Sequence, residues 1–147
     1  MAVVSDTTPL NYLVQIGLAE ILHTLFGNVL VPRAVVAELT VDEALEEVEV
    51  PSEAELLRLE LGEREAIVLA EDRGLPLLID ERAGRDVARR RGIAISGTLG
   101  TLDEAADHGL LDFKDALSKL RQTTFHVSSK VLGPLLERDG RRKKRHQ

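Results

Sequence analysis

At 147 residues the chain is long enough for one domain with a real core and too short for two comfortable ones. Cysteine is absent, which excludes disulfides, thiolate zinc sites and cysteine nucleophiles, and three Phe, one Tyr and no Trp leave no platform for stacking bases. The formal charge of −6 argues at first against a nucleic-acid ligand, but the signs are separated: acids crowd Glu38 to Glu65, whereas bases crowd Arg82 to Arg91 and Arg141 to Arg145.

Ala2 to Ser5 is the first predicted strand, and Asp6 closes it. Pro9 to Phe26 carries helical periodicity interrupted at Gly17, which predicts a helical hairpin. Asn28 to Val31 reads as a second strand; a helix follows with Pro32 at its first position, Val35, Val36 and Leu39 as its apolar residues, and Glu38 along it. Val48-Glu49-Val50 is predicted as a short edge strand, Asp42, Glu43, Glu46 and Glu47 as a solvated face, and Pro51-Ser52 as the start of a helix. Gly62 reads as a break after which Glu63 and Glu65 occupy a first helical turn, where the helix dipole favours negative charge. That helix runs through Ala66-Ile67-Val68-Leu69-Ala70 and ends at Gly74. Leu75 to Ile79 is apolar throughout, as an interior parallel strand should be, and Asp80 with Glu81 closes it. An arginine-rich helix and a strand at Ile93-Ala94-Ile95 come next, followed by Ser96-Gly97-Thr98-Leu99-Gly100 and a helix to His108. The remainder to Arg138 reads as two helices separated near Thr123 to Val127. This alternation predicts an α/β fold: one three-layer α/β/α domain over residues 1–138, its central, mainly parallel sheet of four or five strands, then a basic disordered tail over 139–147.

Acids gathered at the carboxyl ends of a parallel sheet repel one another unless a hard cation lies between them. Asp6, Glu38, Glu63, Glu65 and Asp80 therefore point to a magnesium or manganese site. Such an ion acidifies a bound water and polarises a phosphoryl group, and a second ion roughly 3.5–4 Å away stabilises the leaving oxygen. Each acid also has a plainer explanation: a strand-end cap for Asp6, an exposed helical position for Glu38, helix-start charges for Glu63 and Glu65. Arg82, Arg85, Arg89, Arg90 and Arg91 read either as a solvated face pairing with Glu81 and Asp86 or as a holder of a polyphosphate backbone. His23, His108, His126 and His146 are scattered without ligand spacing, and the isolation of His126 favours a structural or exposed histidine over a general base. A rival reading makes Asp6 the nucleophile of an aspartyl-phosphate enzyme. That chemistry wants a second acid two residues on, where Thr8 stands, or a lysine after a later strand, and the first lysine is Lys114. No stretch has the roughly 20 apolar residues of a membrane span, and the N-terminus lacks the pattern of a signal peptide, so a cytoplasmic protein is expected.

Val4-Ser5-Asp6-Thr7-Thr8-Pro9-Leu10, Val31-Pro32-Arg33-Ala34-Val35-Val36-Ala37-Glu38-Leu39, Gly62-Glu63-Arg64-Glu65-Ala66-Ile67 and Leu78-Ile79-Asp80-Glu81-Arg82 occur in the order seen in PIN-domain proteins. The chain resembles that family over nearly its whole length, and Ser96-Gly97-Thr98-Leu99-Gly100 is similar to a VapC-like branch of it. The resemblance implies a PIN-like sandwich and a Mg²⁺- or Mn²⁺-dependent ribonuclease. It makes Asp6 the first acid, Glu38 the second, Glu63 or Glu65 the third, and Asp80 the fourth with Glu81 as competitor. Many relatives carry aspartate at the third position, where this chain has glutamate. Thr7 or Thr8 matches the small polar residue near the metal shell; Ser96 and Thr98 would face the phosphate side, and Arg82 and Arg85 would bind substrate. A homodimer and a small antitoxin that blocks the cleft are further implications, and the alternative is a catalytically lapsed PIN fold that binds RNA or protein.

Overall fold

The computed structural model describes residues 1–38, 46–48 and 61–145. Among them a five-stranded, all-parallel sheet has the order β3-β2-β1-β4-β5, formed by β1 (Ala2–Ser5), β2 (Asn28–Pro32), β3 (Glu46–Val48), β4 (Leu77–Leu78) and β5 (Ile95–Ser96). The helices of the same region are α1 (Thr7–Gln15), α2 (Glu20–Phe26), α3 (Arg33–Glu38), α4 (Leu61–Arg73) and α5 (Arg82–Arg90), so the fold is α/β with a parallel sheet flanked by helices, as expected. The chain divides into two compact units, Met1–Thr98 and Leu99–Gln147. The first holds the entire sheet.

The first unit is built around β1. Val4 pairs with Leu30 of β2 on one side and with Leu77 of β4 on the other. Val3 and Val4 are wholly buried, and the core joins Val4 and Leu30 to Leu77, Ile79, Ala88 and Ile93. Helix α4 adds Ala66, Ile67, Val68, Leu69 and Ala70, five consecutive buried residues. A helix buried on every side needs no amphipathic stripe, and each large apolar side chain removed from water contributes about 1.5–3 kcal/mol.

Several boundaries differ from the sequence reading. Pro32 ends β2 and α3 begins at Arg33, because a proline ring fits a strand end as well as a first helical turn. Gly62 lies inside the first turn of α4 and is buried there; its propensity cost of about 1 kcal/mol is small beside the burial of the helix it begins. The edge strand is Glu46–Val48, two residues earlier than predicted, with Glu46 and Glu47 in its backbone. Leu39, Asp42, Glu43 and the helix start at Pro51-Ser52 lie outside the described residues. Gly74 ends α4 with a φ of 64°, the left-handed backbone that favours glycine.

The second unit carries most of α6 (Thr98–Asp107), with α7 (Phe113–Arg121) and α8 (Ser129–Arg145). Helix α8 contains most of the stretch expected to be a disordered tail, and acidic partners explain its order. Arg142 Nη1 donates to Asp107 Oδ1 at 2.7 Å and Asp103 Oδ1 at 3.2 Å, and its Nη2 donates to Asp139 Oδ1 at 2.8 Å. Arg138 adds ion pairs to Asp103 and Asp107, and Lys143 pairs with Asp139 and Asp112. Asp103 and Asp107, four residues apart on α6, thus meet Arg138 and Arg142, four apart on α8; that matched spacing was the sequence signal for the contact. Among the described residues no helix is long and apolar enough to cross a membrane.

Candidate active site

In an open parallel sheet, ligands bind outside the carboxyl ends of the strands where the strand order reverses. Here the order runs outward from β1 through β2 to β3, then resumes on the opposite side with β4 and β5. The reversal lies between β1 and β4; Asp6 directly follows β1, and Asp80 lies two residues beyond β4. The Asp6 N–H donates to Leu78 O at 2.9 Å, which fixes the end of β1 beside β4.

Asp6 is 3 % exposed. It stands at the N-cap of α1 with extended backbone, but its side chain makes no capping hydrogen bond, so helix capping does not account for a buried carboxylate there. Thr7, the next residue, is half-buried. Asp80 is half-buried and held by Thr98, which is itself wholly buried: the Thr98 N–H donates to Oδ1 at 2.8 Å and the hydroxyl to Oδ2 at 2.7 Å. Burial pushes the Asp80 carboxyl above its ordinary range; the Thr98 hydrogen bonds and the charge of Arg85 pull the other way without reversing the shift. Arg85 Nη1 donates to Ile79 O at 3.1 Å, and its guanidinium is held below its usual basicity by burial and by Arg89.

Gly97 explains how Thr98 reaches this position. A Cβ at Gly97 would lie 2.6 Å from Asp80 Oδ1 and 2.8 Å from Arg85 Nη1, so any side chain there would have to push aside the Asp80 carboxylate or the Arg85 guanidinium. Thr98, expected on the phosphate side, is instead buried with its hydroxyl on Asp80, so this segment clamps that carboxylate. Ser96 ends β5 half-buried, and its carbonyl accepts the Ile79 N–H.

A helix between parallel strands starts at the carboxyl end of the sheet, which places the first turn of α4 over the same end as Asp6 and Asp80. Glu63 and Glu65 leave that turn toward different neighbours. Glu63 is 8 % exposed with Oε2 against Gly84 of α5, where an added Cβ would stand 3.0 Å away. Glu65 Oε2 accepts the Ala34 N–H at 3.1 Å and so satisfies one of the first-turn donors of α3. Helix α3 ends at Glu38, whose side chain lies outside the described part of the chain. Glu81 is the exposed N-cap of α5, and Arg82 is exposed in its first turn.

The side chains at this end are oxygen donors, a set suited to a hard divalent cation. Among the described residues no three acidic, histidine or cysteine side chains group closely enough to hold a metal ion. That arrangement still fits magnesium, which commonly takes one or two carboxylates and completes its octahedron with water and phosphate oxygens. Asp6 and Asp80 are the pair at the switch point, and each Asp80 oxygen, with one donor on it, retains a lone pair.

No curated protein matches the sequence. A family model described as a PIN domain matches residues 2–141, across both compact units. PIN domains are in general nucleases that use divalent metals. By a match of that extent, to a sheet whose switch point ends in two aspartates, the chain belongs to the PIN-domain family.

Proposed function

We propose that the protein is a Mg²⁺- or Mn²⁺-dependent ribonuclease that cuts RNA phosphodiesters at the carboxyl ends of β1 and β4. The observation that carries this reading is the placement of Asp6 and Asp80 at the switch point, with Asp80 held in its ionisable position by Thr98 although burial disfavours its charge. A carboxylate whose charge burial disfavours in spite of two hydrogen bonds fits a role toward a cation.

In this reading Asp6 and Asp80 hold the ion, Glu38 and one member of the Glu63/Glu65 pair complete the acidic end, and Glu81 stays at its rim. Once bound, the cation supplies an acidified water and neutralises charge on the phosphate. Thr98 and Gly97 fix the direction of the Asp80 carboxylate, Thr7 and Ser96 line the approach, and Arg82 and Arg85 bind phosphates beside the scissile one. Products would carry a 5′-phosphate and a 3′-hydroxyl; a 2′,3′-cyclic phosphate would count against the mechanism. Within a toxin–antitoxin pair, the inhibitor would be a small protein that inserts a basic side chain among the acids, and the nuclease would act as a homodimer in the cytoplasm.

Calorimetric titration of Mg²⁺ and Mn²⁺ into wild type and Asp6→Asn, with cleavage of a mixed structured RNA followed in the same samples, tests this. Binding and cleavage are expected in wild type and lost together in the variant. RNA binding indifferent to both metal and Asp6, without cleavage, would instead identify a PIN fold that binds and no longer cuts.

A further inference from the structure

The sign pattern of α5 is unusual for a chain of net charge −6: its nine residues carry four arginines and one aspartate. Arg82, Arg85 and Arg89 recur at i, i+3 and i+7, which places them on one helical face about 10 Å long at 1.5 Å per residue. Arg90 flanks that face, and Arg82, Arg89 and Arg90 are exposed. The stripe has its inner end at the proposed site, because Arg85 bonds the carbonyl just before Asp80 and lies beside Gly97.

Arg85 faces Asp80, but local pairing does not account for the exposed charges. Asp86 lies 3.6 Å from Arg89, but both side chains are more than half exposed, and so open a pair contributes little. Among the described residues Arg82 and Arg90 make no ion pair. Arg91, by contrast, is held by Glu71 at 3.2 Å and ties the end of the helix to α4. Four like charges over so short a helix repel one another, and a polyanion laid along them relieves that repulsion.

We infer that the exposed face of α5 is a phosphate rail that carries a single RNA strand away from the Asp6/Asp80 site, with Arg85 and Arg82 on the phosphates nearest the scissile bond and Arg89 and Arg90 on those beyond. This rests on the ribonuclease reading for the identity of the strand. A rail one side chain wide follows one backbone, and with no aromatic residue on α5 its grip is indifferent to base sequence. Asp86, the acid in the stripe, works against the strand.

The test is fluorescence anisotropy of a short labelled oligouridylate in EDTA, so that nothing turns over, across a series of KCl concentrations. Each phosphate contact on a single strand contributes about 0.7 to the slope of log K against log salt. Arg82→Ala/Arg89→Ala is expected to lower the slope by about 1.4. Asp86→Asn is expected to tighten binding at low salt about two- to fivefold, a gain that a merely structural helix pair would not give. Arg141→Ala/Lys144→Ala/Arg145→Ala, which removes exposed bases from α8, is expected to leave the slope unchanged. No binding by wild type, an unchanged slope in the α5 variant, a drop carried by the α8 variant instead, or tighter binding of a blunt duplex than of the single strand would each overturn the proposal. Because metal is absent throughout, a rail with no nuclease behind it would still show these slopes, which separates this inference from the cleavage reading.

Discussion

Thr98 donates to both oxygens of Asp80, its backbone to one and its hydroxyl to the other, yet the carboxyl stays above its ordinary range because burial outweighs the two bonds and Arg85. A carboxyl raised in the folded state favours the protonated form, so ionised Asp80 costs stability, and that cost grows as pH rises through its folded pKa. Asp80→Asn can accept from the Thr98 N–H and hydrogen-bond with its hydroxyl without the charge. In EDTA at neutral pH its Tm is expected to equal or exceed that of wild type by up to about 4 °C. Mg²⁺ should raise the wild-type Tm and leave the variant unmoved. A clear fall in Tm for the metal-free variant would make Asp80 a structural residue.

Gly97→Ala tests the clamp. Its backbone is not in the left-handed region, so the substitution acts through the Cβ, which meets Asp80 and Arg85. Displacing a positioned carboxylate by about 1 Å costs on the order of a hundredfold in rate. We expect a loss of at least about tenfold in kcat with only a small change in Tm. Full activity in single-turnover cleavage would show that the site tolerates movement of Asp80.

Glu65 and Glu63 separate by paired substitutions. Glu65→Ala leaves the Ala34 N–H without its acceptor and should destabilise the fold by about 0.5–2 kcal/mol, as loss of a helix cap does. Glu65→Gln keeps an acceptor oxygen and should restore that stability. Mg²⁺ affinity measured by calorimetry on Glu63→Gln and Glu65→Gln then assigns the third acid: the variant that loses tenfold or more is the ligand, and equal affinities in both would remove the pair from the metal shell.

Arg142→Met should be the most damaging substitution in the second unit. It leaves buried Asp139 and Asp103 with only the more exposed Lys143 and Arg138 as cations, a partial loss bounded by the cost of a fully broken buried pair, about 3–5 kcal/mol. The pH dependence follows from the acids. Hydrogen bonding from Arg142 holds the Asp107 carboxyl below the ordinary range; for Asp139, burial opposes ionisation but hydrogen bonds from Arg142 and Lys143 outweigh it. Carboxyls depressed in the folded state contribute stability above their unfolded pKa of about 3.9 and lose it as pH falls through the folded value. The gap between wild type and Arg142→Met in urea unfolding is therefore expected to be full at pH 7 and to shrink below about pH 4. A gap constant with pH would mean that packing of the Arg142 stem, not its charge, anchors α8.

The α/β alternation, the acids after the strands and the arginine helix were legible because each depends on local pattern: an apolar run, then an acid, then a helical period; the strand order, which depends on long-range pairing, was not. Asp6 and Asp80 needed only that pattern. Glu63 and Glu65 did not separate, since both occupy one first turn and their difference lies in which helix each side chain meets across α4. The fate of the basic run at Arg141 to Arg145 was hidden for the same reason. Its order depends on Asp103 and Asp107, more than thirty residues earlier, and composition alone reads such a run as solvated. The sequence pattern puts Gly62 just before the helix, whereas it falls in the first turn of α4, where packing overrides its propensity.

The middle strand of the sheet precedes both of its neighbours in the chain, and this sets a timetable for folding. Val4 meets Leu30 on one side but must wait for Leu77 on the other. At translation rates of about 5–20 residues per second, that second partner is synthesised roughly 4 to 15 s later. Until then one edge of β1, with Val3 and Val4 in it, has no permanent neighbour and is open to pairing with another nascent chain. The same centrality that places Asp6 at the switch point makes this segment depend longest on whatever shields unfinished sheets in the cell.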